Sequence, residues 1–288
     1  MRGVNFERWP VDGGKRTAVT FEVNLEGWTD DAAPSQPMPP LRAGTRDLFQ
    51  QSYGEYGPNA GMQRLLRLFA EKDVRATVLT SGIIAERYPA LLKAANEAGH
   101  EIAAHGYAQN LLSCYLSEEE EQQQMDATIA AITTAAGERP IGWRSPRSTP
   151  GTRTNALLAA RRFLWHGNSD RADLPVIEHY SGRTIVALQR PTWVNDLIVC
   201  VIPARPPRAL VEAFEDVFEY TAQSHDPAAH LISVAVHAHH FGRPHGAWAL
   251  AKIIERVRLS SDTWIARNRD VAQVALETFE QDPGKAHK

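Results

Sequence analysis

The 288-residue chain is 43% hydrophobic and 23% charged, ordinary values for a globular domain that exclude a disordered or collagen-like chain. Its 31 basic and 34 acidic residues leave a formal charge of −3, which argues against a nucleic-acid partner recruited by phosphate attraction. No apolar run approaches the ~18 residues of a membrane helix, so no membrane partner is expected.

Strand-like apolar runs alternate with amphipathic helical stretches along the chain. Thr17–Glu26 is the first predicted strand. A helix is expected over Met62–Lys72, a strand over Arg75–Thr80, and a second helix stopping at Gly99, a natural C-terminal residue. Glu101–His105 reads as a short strand. Ser117 and Glu120 form the S-x-x-E pattern of a capping box opening an acidic helix. Further strands are expected at Ile141–Arg144, Thr184–Leu188, Leu197–Ile202 and Leu231–His239, with a last helix over Ala247–Leu259. Such repeats predict a parallel sheet, barrel-like or doubly wound; with strands throughout and no linker, one barrel-like domain over residues 1–288 is favoured. Residues 28–60, with prolines at 34, 37, 39, 40 and 58, show no period and read as an arm or lid. The N-terminus lacks the apolar stretch of a signal peptide, and Cys114 and Cys200 make no disulfide framework; a cytoplasmic protein is expected.

Four segments carry candidate chemistry. On the first strand Thr20, Glu22, Asn24 and Glu26 alternate against Val19, Phe21, Val23 and Leu25. Two carboxylates and an amide thus gather at a strand's C-terminal end, where α/β barrels place their sites, fit for a general base and a substrate or metal contact. His105 ends a later strand beside Gly106. His100, an odd number of positions away, faces the other side and reads as structural. Ser233, Ala235, His237 and His239 share one face of the last strand, so His237 and His239 reach its exit, suited to proton transfer to a leaving nitrogen or to metal binding. Arg144 and Arg147 stand on a stiff proline-bounded loop, offering planar forks for a carbonyl or carboxylate.

These segments, in this order, resemble the polysaccharide deacetylase (NodB-homology, carbohydrate esterase family 4) superfamily over roughly Thr17–Leu276. They look most like its metal-independent allantoinase-like branch. The residues that carry the likeness include Thr20-Phe21-Glu22-Val23-Asn24-Leu25-Glu26, Gly99-His100-Glu101-Ile102 with His105-Gly106-Tyr107, Gly142-Trp143 with Arg147, Asn195-Asp196 and Phe241-Gly242-Arg243-Pro244. The resemblance implies an α/β, deformed (β/α) barrel and hydrolysis of a non-peptide C–N amide bond. It also implies that Glu22 stands at the base position, Asn24 at a metal-ligand position and His105 at the first histidine, with Gln109 where a second is usual.

Two of the three ligand positions are therefore neutral amides, poor zinc donors. No tightly bound metal or other cofactor is expected; His105, Asn24 and Gln109 would be the ligands of any metal. The expected reaction is hydrolysis of a small cyclic ureide, imide or related amide. Glu22 or Glu26 would act as base and His237 or His239 as acid. His105, Asn24 and Gln109 would bond the oxyanion. Arg144, Arg147, Trp193 and Asp196 complete the substrate-binding set. The alternatives are a divalent-metal, for instance zinc, N-deacetylase of an amino sugar or polysaccharide, and a catalytically inactive carbohydrate-binding homologue. A homo-oligomer is expected from the arm and the branch.

Overall fold

A computed structural model describes residues 2–4, 6–42, 44–225 and 228–281. In chain order the strands are β1 (Arg2–Gly3), β2 (Thr17–Leu25), β3 (Thr77–Thr80), β4 (Glu101–Ala104), β5 (Gly142–Trp143), β6 (Trp165–Ser169), β7 (Val176–Tyr180), β8 (Arg183–Gln189), β9 (His230–His237) and β10 (Thr263–Ala266). The helices are α1 (Leu48–Tyr56), α2 (Met62–Glu71), α3 (Gly82–Arg87), α4 (Pro89–Glu97), α5 (Glu118–Ala136), α6 (Thr154–Ala160), α7 (Arg208–Gln223), α8 (Pro244–Arg258) and α9 (Asn268–Gln281).

The strands form one sheet in the order β1-β7-β8-β6-β5-β4-β3-β2-β10, with β9 also paired to β2. Every pairing from β8 round to β9 is parallel, while β7 and β1 return antiparallel at the far edge. β2 is the hinge of this arrangement: β9 flanks it from Thr17 to Asn24, whereas β10 pairs its first half and β3 its second. The sheet curls without closing. Between β8 and β9 only an isolated bridge, Asn195 to Ala235, spans the gap. This is the deformed (β/α) barrel expected.

The outward side chains of β2, Val19, Phe21, Val23 and Leu25, are fully buried among the helices in the larger of two hydrophobic clusters. Its inward face stays polar, as the alternation predicts. The capping box at α5 is present, Ser117 and Glu120 each bonding the other's backbone, and Gly137 ends that helix at φ +79°, a left-handed conformation natural to glycine. His100 lies on the structural side: its Nδ1 accepts the Ala76 N–H at 3.0 Å, and burial first, with Arg267 and Arg75 nearby, lowers its pKa to about 4.

Three expected elements are corrected. Leu197–Val201 is a π-helical turn, not a strand; a short β-branched run cannot be told from a buried helical one by periodicity. β9 stops at His237, because the His240 and Phe241 N–H groups both turn back onto the His237 carbonyl. The helix over residues 244–258 is not the last, since α9 follows and plugs the sheet's inner side: Asn268 donates its backbone N–H to Thr77 Oγ1 and its side-chain amide to Glu22. Residues 28–60 prove helical in their last third, with α1 and a π-turn at Gly57–Gly61. The irregular part is pinned by Gln50 to the Pro34 carbonyl and by Gln51 to the Asp30 carbonyl.

Candidate active site

The carboxyl ends of the parallel strands open onto a cavity of about 430 Å³, the place where open α/β sheets bind ligands. Glu26, one residue past β2, stands at its floor with its side chain only 12% exposed. Three imidazole Nε2 atoms face its carboxylate: His105 at 3.4 Å, His237 at 3.7 Å and His239 at 4.0 Å. Burial pushes the Glu26 carboxyl up, but His237, His105 and His240 together outweigh it and hold the group below its usual 4.5. Glu26 is therefore an anion at neutral pH.

Each histidine is held by a different partner. His105 Nδ1 lies 2.8 Å from the Arg144 carbonyl; a carbonyl only accepts, so Nδ1 carries a proton and Nε2 is the atom turned to Glu26. Asp196, fully buried, accepts twice from His237, from its backbone N–H at 2.8 Å and from Nδ1–H at 2.6 Å. Burial disfavours charge on His237, yet Asp196 and Glu26 overcome it and raise the ring to about 9. His237 is thus an imidazolium whose Nε2–H points toward Glu26. His239 and His240 are the opposite case. Burial, reinforced by the positive His237 and Arg243, holds His239 well below the ordinary value and His240 at about 3, so both rings are neutral. Tyr53 from α1 places its hydroxyl 2.7 Å from His240 Nδ1.

The turn after β9 brings all three of these histidines to the cavity. It is tight because two glycines meet beneath it. A Cβ on Gly61 would overlap the Ala238 carbonyl oxygen, and one on Gly242 would overlap that oxygen and Gly61 itself. His240 and Tyr53 were not nominated from sequence; the third histidine of the run was the available signal, while Tyr53 left none, since only the packing of α1 on the turn brings it there.

Several expected roles are corrected. Glu22 is 1% exposed and does not line the cavity. Both its oxygens are held, by the two terminal nitrogens of Arg144 and by Asn268, so it is committed to internal partners and has no access to the cavity. Arg144 lines the cavity but turns its guanidinium to Glu22 and to the Gly167 carbonyl at 3.2 Å, which removes it as a substrate fork. Gln109 gives its amide N–H groups to Ser81 Oγ at 3.1 Å and the His105 carbonyl at 2.8 Å, leaving an acceptor rather than an oxyanion donor. Asp196 faces His237 and not the cavity. Trp193 is 70% exposed and stands off the cavity lining. Asn24, Glu26, His105, Gln109, Arg147, His237 and His239 do line it together.

Two of the three expected ligand positions suit a divalent metal poorly. Among the described residues no group of three or more His, Cys, Asp or Glu side chains is arranged to hold an ion. Asn24 is a neutral amide and Gln109 is committed to internal hydrogen bonds. Two of the three positions expected to hold a metal thus offer it poor or committed donors.

Comparison with known proteins gives a consistent result. The family profile for polysaccharide deacetylase matches residues 55–163. A peptidoglycan deacetylase of Helicobacter pylori is 24% identical, the match covering 81% of this chain and 89% of that protein. Among solved structures, a PuuE allantoinase superposes with a TM-score of 0.80 at 26% identity, covering 90% of each chain. A Mycobacterium smegmatis structure named as a polysaccharide deacetylase superposes with a TM-score of 0.81 at 26% identity, covering 98% of this chain and 96% of the other.

Proposed function

Because this chain belongs to the polysaccharide deacetylase (NodB-homology, carbohydrate esterase family 4) superfamily, we propose that it hydrolyses a non-peptide C–N amide bond in a small cyclic ureide, imide or related amide, without a tightly bound metal. The observation that carries this reading is the Glu26–His237–Asp196 line opening into the cavity. A carboxylate base and an imidazolium acid stand within reach of one another, in the protonation states that amide hydrolysis needs.

Glu26 takes a proton from a water molecule as its oxygen adds to the substrate carbonyl carbon. The oxyanion so formed lies among the cavity's hydrogen-bond donors; Asn24 and neutral His240 are the side chains that supply them. His237 Nε2–H then protonates the leaving nitrogen as the C–N bond breaks. The proton on Glu26 returns to His237 across the 3.7 Å that separates them. Asp196 keeps the His237 ring oriented and stabilises its charge. His237 thus supplies the positive charge that a metal supplies to a carbonyl elsewhere.

The cavity volume suits a small molecule, and residues Trp28, Pro34 and Gln36 of the arm wall it on one side. Likeness to the PuuE allantoinase favours a ureide, and likeness to the H. pylori enzyme favours instead a deacetylation, the reaction for which a divalent metal is the expected alternative. Elemental analysis of protein purified without chelator, with turnover of a ureide and amide panel, separates the two. Near-zero metal, chelator-resistant turnover and a loss of at least ~10²-fold in kcat for Glu26→Gln are expected. One equivalent of transition metal with chelator-sensitive activity would overturn the metal-free reading, and unimpaired Glu26→Gln would overturn the assignment of the base.

A further inference from the structure

Four charged side chains other than histidine line the cavity: Glu26, Arg144, Arg147 and Arg190. Their partners divide them sharply. Arg144 is neutralised by Glu22, and His237 by Asp196. Neither Arg147 nor Arg190 has an ion pair within 4.0 Å or a side-chain hydrogen bond among the described residues. Asp170, the acid nearest Arg190 in effect, gives one oxygen to the Thr192 hydroxyl at 2.9 Å. Arg190 is half-buried at the end of β8 and shares its surroundings with the positive Arg144. A partly desolvated guanidinium beside a like charge is unfavourable unless a counter-charge arrives; burial and Arg144 accordingly lower its pKa.

Arg147 is placed by a backbone that resists relaxation. It stands at φ +54° and the next residue, Ser148, at φ +51°, conformations that side-chain-bearing residues seldom adopt and that cluster at functional sites. The preceding Pro146 ring is seated against Gly106, where a Cβ would collide with it. The loop thus holds a cation at the cavity lining with no ion pair to it among the described residues.

We infer that Arg147 and Arg190 form an anion subsite, and that the amide or ureide hydrolysed here carries a carboxylate on the side of the molecule away from the scissile bond. After the Arg144–Glu22 and His237–Asp196 pairs cancel, the lining retains one anion, Glu26, and two cations, Arg147 and Arg190. A substrate that brings a neutral amide to Glu26 and a carboxylate to the guanidinium groups matches that charge distribution, and guanidinium recognises a carboxylate by charge-assisted hydrogen bonds. This rests on the proposed hydrolysis for the meaning of the floor, but the subsite itself is tested by binding alone.

The test is calorimetric titration of wild-type protein with hydantoin-5-acetate and with its uncharged isostere hydantoin-5-acetamide, repeated on Arg147→Gln, Arg190→Gln and Arg190→Lys. The carboxylate is expected to bind at least ~10-fold more tightly than the amide in wild type. Each Gln variant should remove most of that preference while leaving affinity for the amide within about twofold, and Arg190→Lys should keep part of it. Arg147 is exposed, so its variant reports even where an Arg190 variant is unstable. Equal affinity for the two compounds, no heat from the carboxylate, or a preference that survives both Gln substitutions would overturn the inference. An Arg-dependent preference without turnover would uphold the subsite and refute the hydrolysis; turnover with indifference to charge would do the reverse.

Discussion

Replacing Asp196 by Asn exchanges one carboxylate oxygen for an amide and removes a buried charge without changing shape. In the native arrangement both carboxylate oxygens accept from His237, one from the backbone N–H and one from Nδ1–H. Asparagine has a single acceptor oxygen, so its NH₂ must face one of those donors and one of the two hydrogen bonds is lost. The electrostatic effect is larger. Burial is the strongest influence on His237 and exceeds that of Glu26, so without Asp196 the ring falls from about 9 to its ordinary 6.5 or lower. That is a drop of at least about 2.5 units, or about 3.5 kcal/mol at ~1.4 kcal/mol per unit. The imidazolium would be lost at pH 7.5, and with it a general acid contributing roughly 10²–10⁴-fold. The ring is followed by ¹⁵N-imidazole NMR titration, which needs no substrate, and kcat by steady-state turnover. A His237 that still titrates above pH 8 in Asp196→Asn, or a kcat within threefold of wild type, would refute the reasoning.

Turnover should plateau between two limbs: an acid limb below 4.5 as Glu26 is protonated and an alkaline limb near 9 as His237 loses its proton, measured as kcat/KM against pH. Stability follows the same groups with a definite sign. His237, raised on folding, stabilises fully below its unfolded value near 6.5 and less as pH rises to about 9. Glu26, lowered on folding, stabilises fully above 4.5 and less as pH falls through its folded value. Their joint contribution to Tm should therefore peak between 4.5 and 6.5, checked by thermal melts across pH. Glu22→Ala strands Arg144 in the interior and should destabilise by about 3–5 kcal/mol. Its Tm should fall roughly 2–4 °C for each of those kcal/mol, while Glu26→Gln loses kcat with a smaller fall in Tm, that of its contact with the His237 imidazolium. Gly61→Ala forces a Cβ into the Ala238 carbonyl and should lower both kcat and Tm by displacing the histidine turn, seen by comparing its melt and turnover with those of Glu26→Gln.

Local order was readable from the chain alone. The period-two alternation of Thr17–Leu25 set which β2 side chains face the helices, and Ser117 and Glu120 marked the start of α5, because strand parity and helix caps depend only on near neighbours. The resemblance to a known superfamily supplied the barrel and brought Glu26, His105, His237 and Arg147 into one discussion. Tertiary structure decided the rest. Glu22 and Glu26 are equivalent by parity, yet α9 and Arg144 close on the one and the cavity opens on the other. Arg190 lies in a segment with no distinguishing pattern, and its importance comes from a cavity shared with β2; Asp196 was marked by the resemblance, but only the fold shows that it faces His237, 41 positions away, rather than substrate. Charge state likewise depends on burial and on partners from other strands, so that neighbouring His237 and His239 end with opposite protonation. A sequence carries the identity of each titrating group, whereas its solvation and its counter-charge exist only once the sheet has curled.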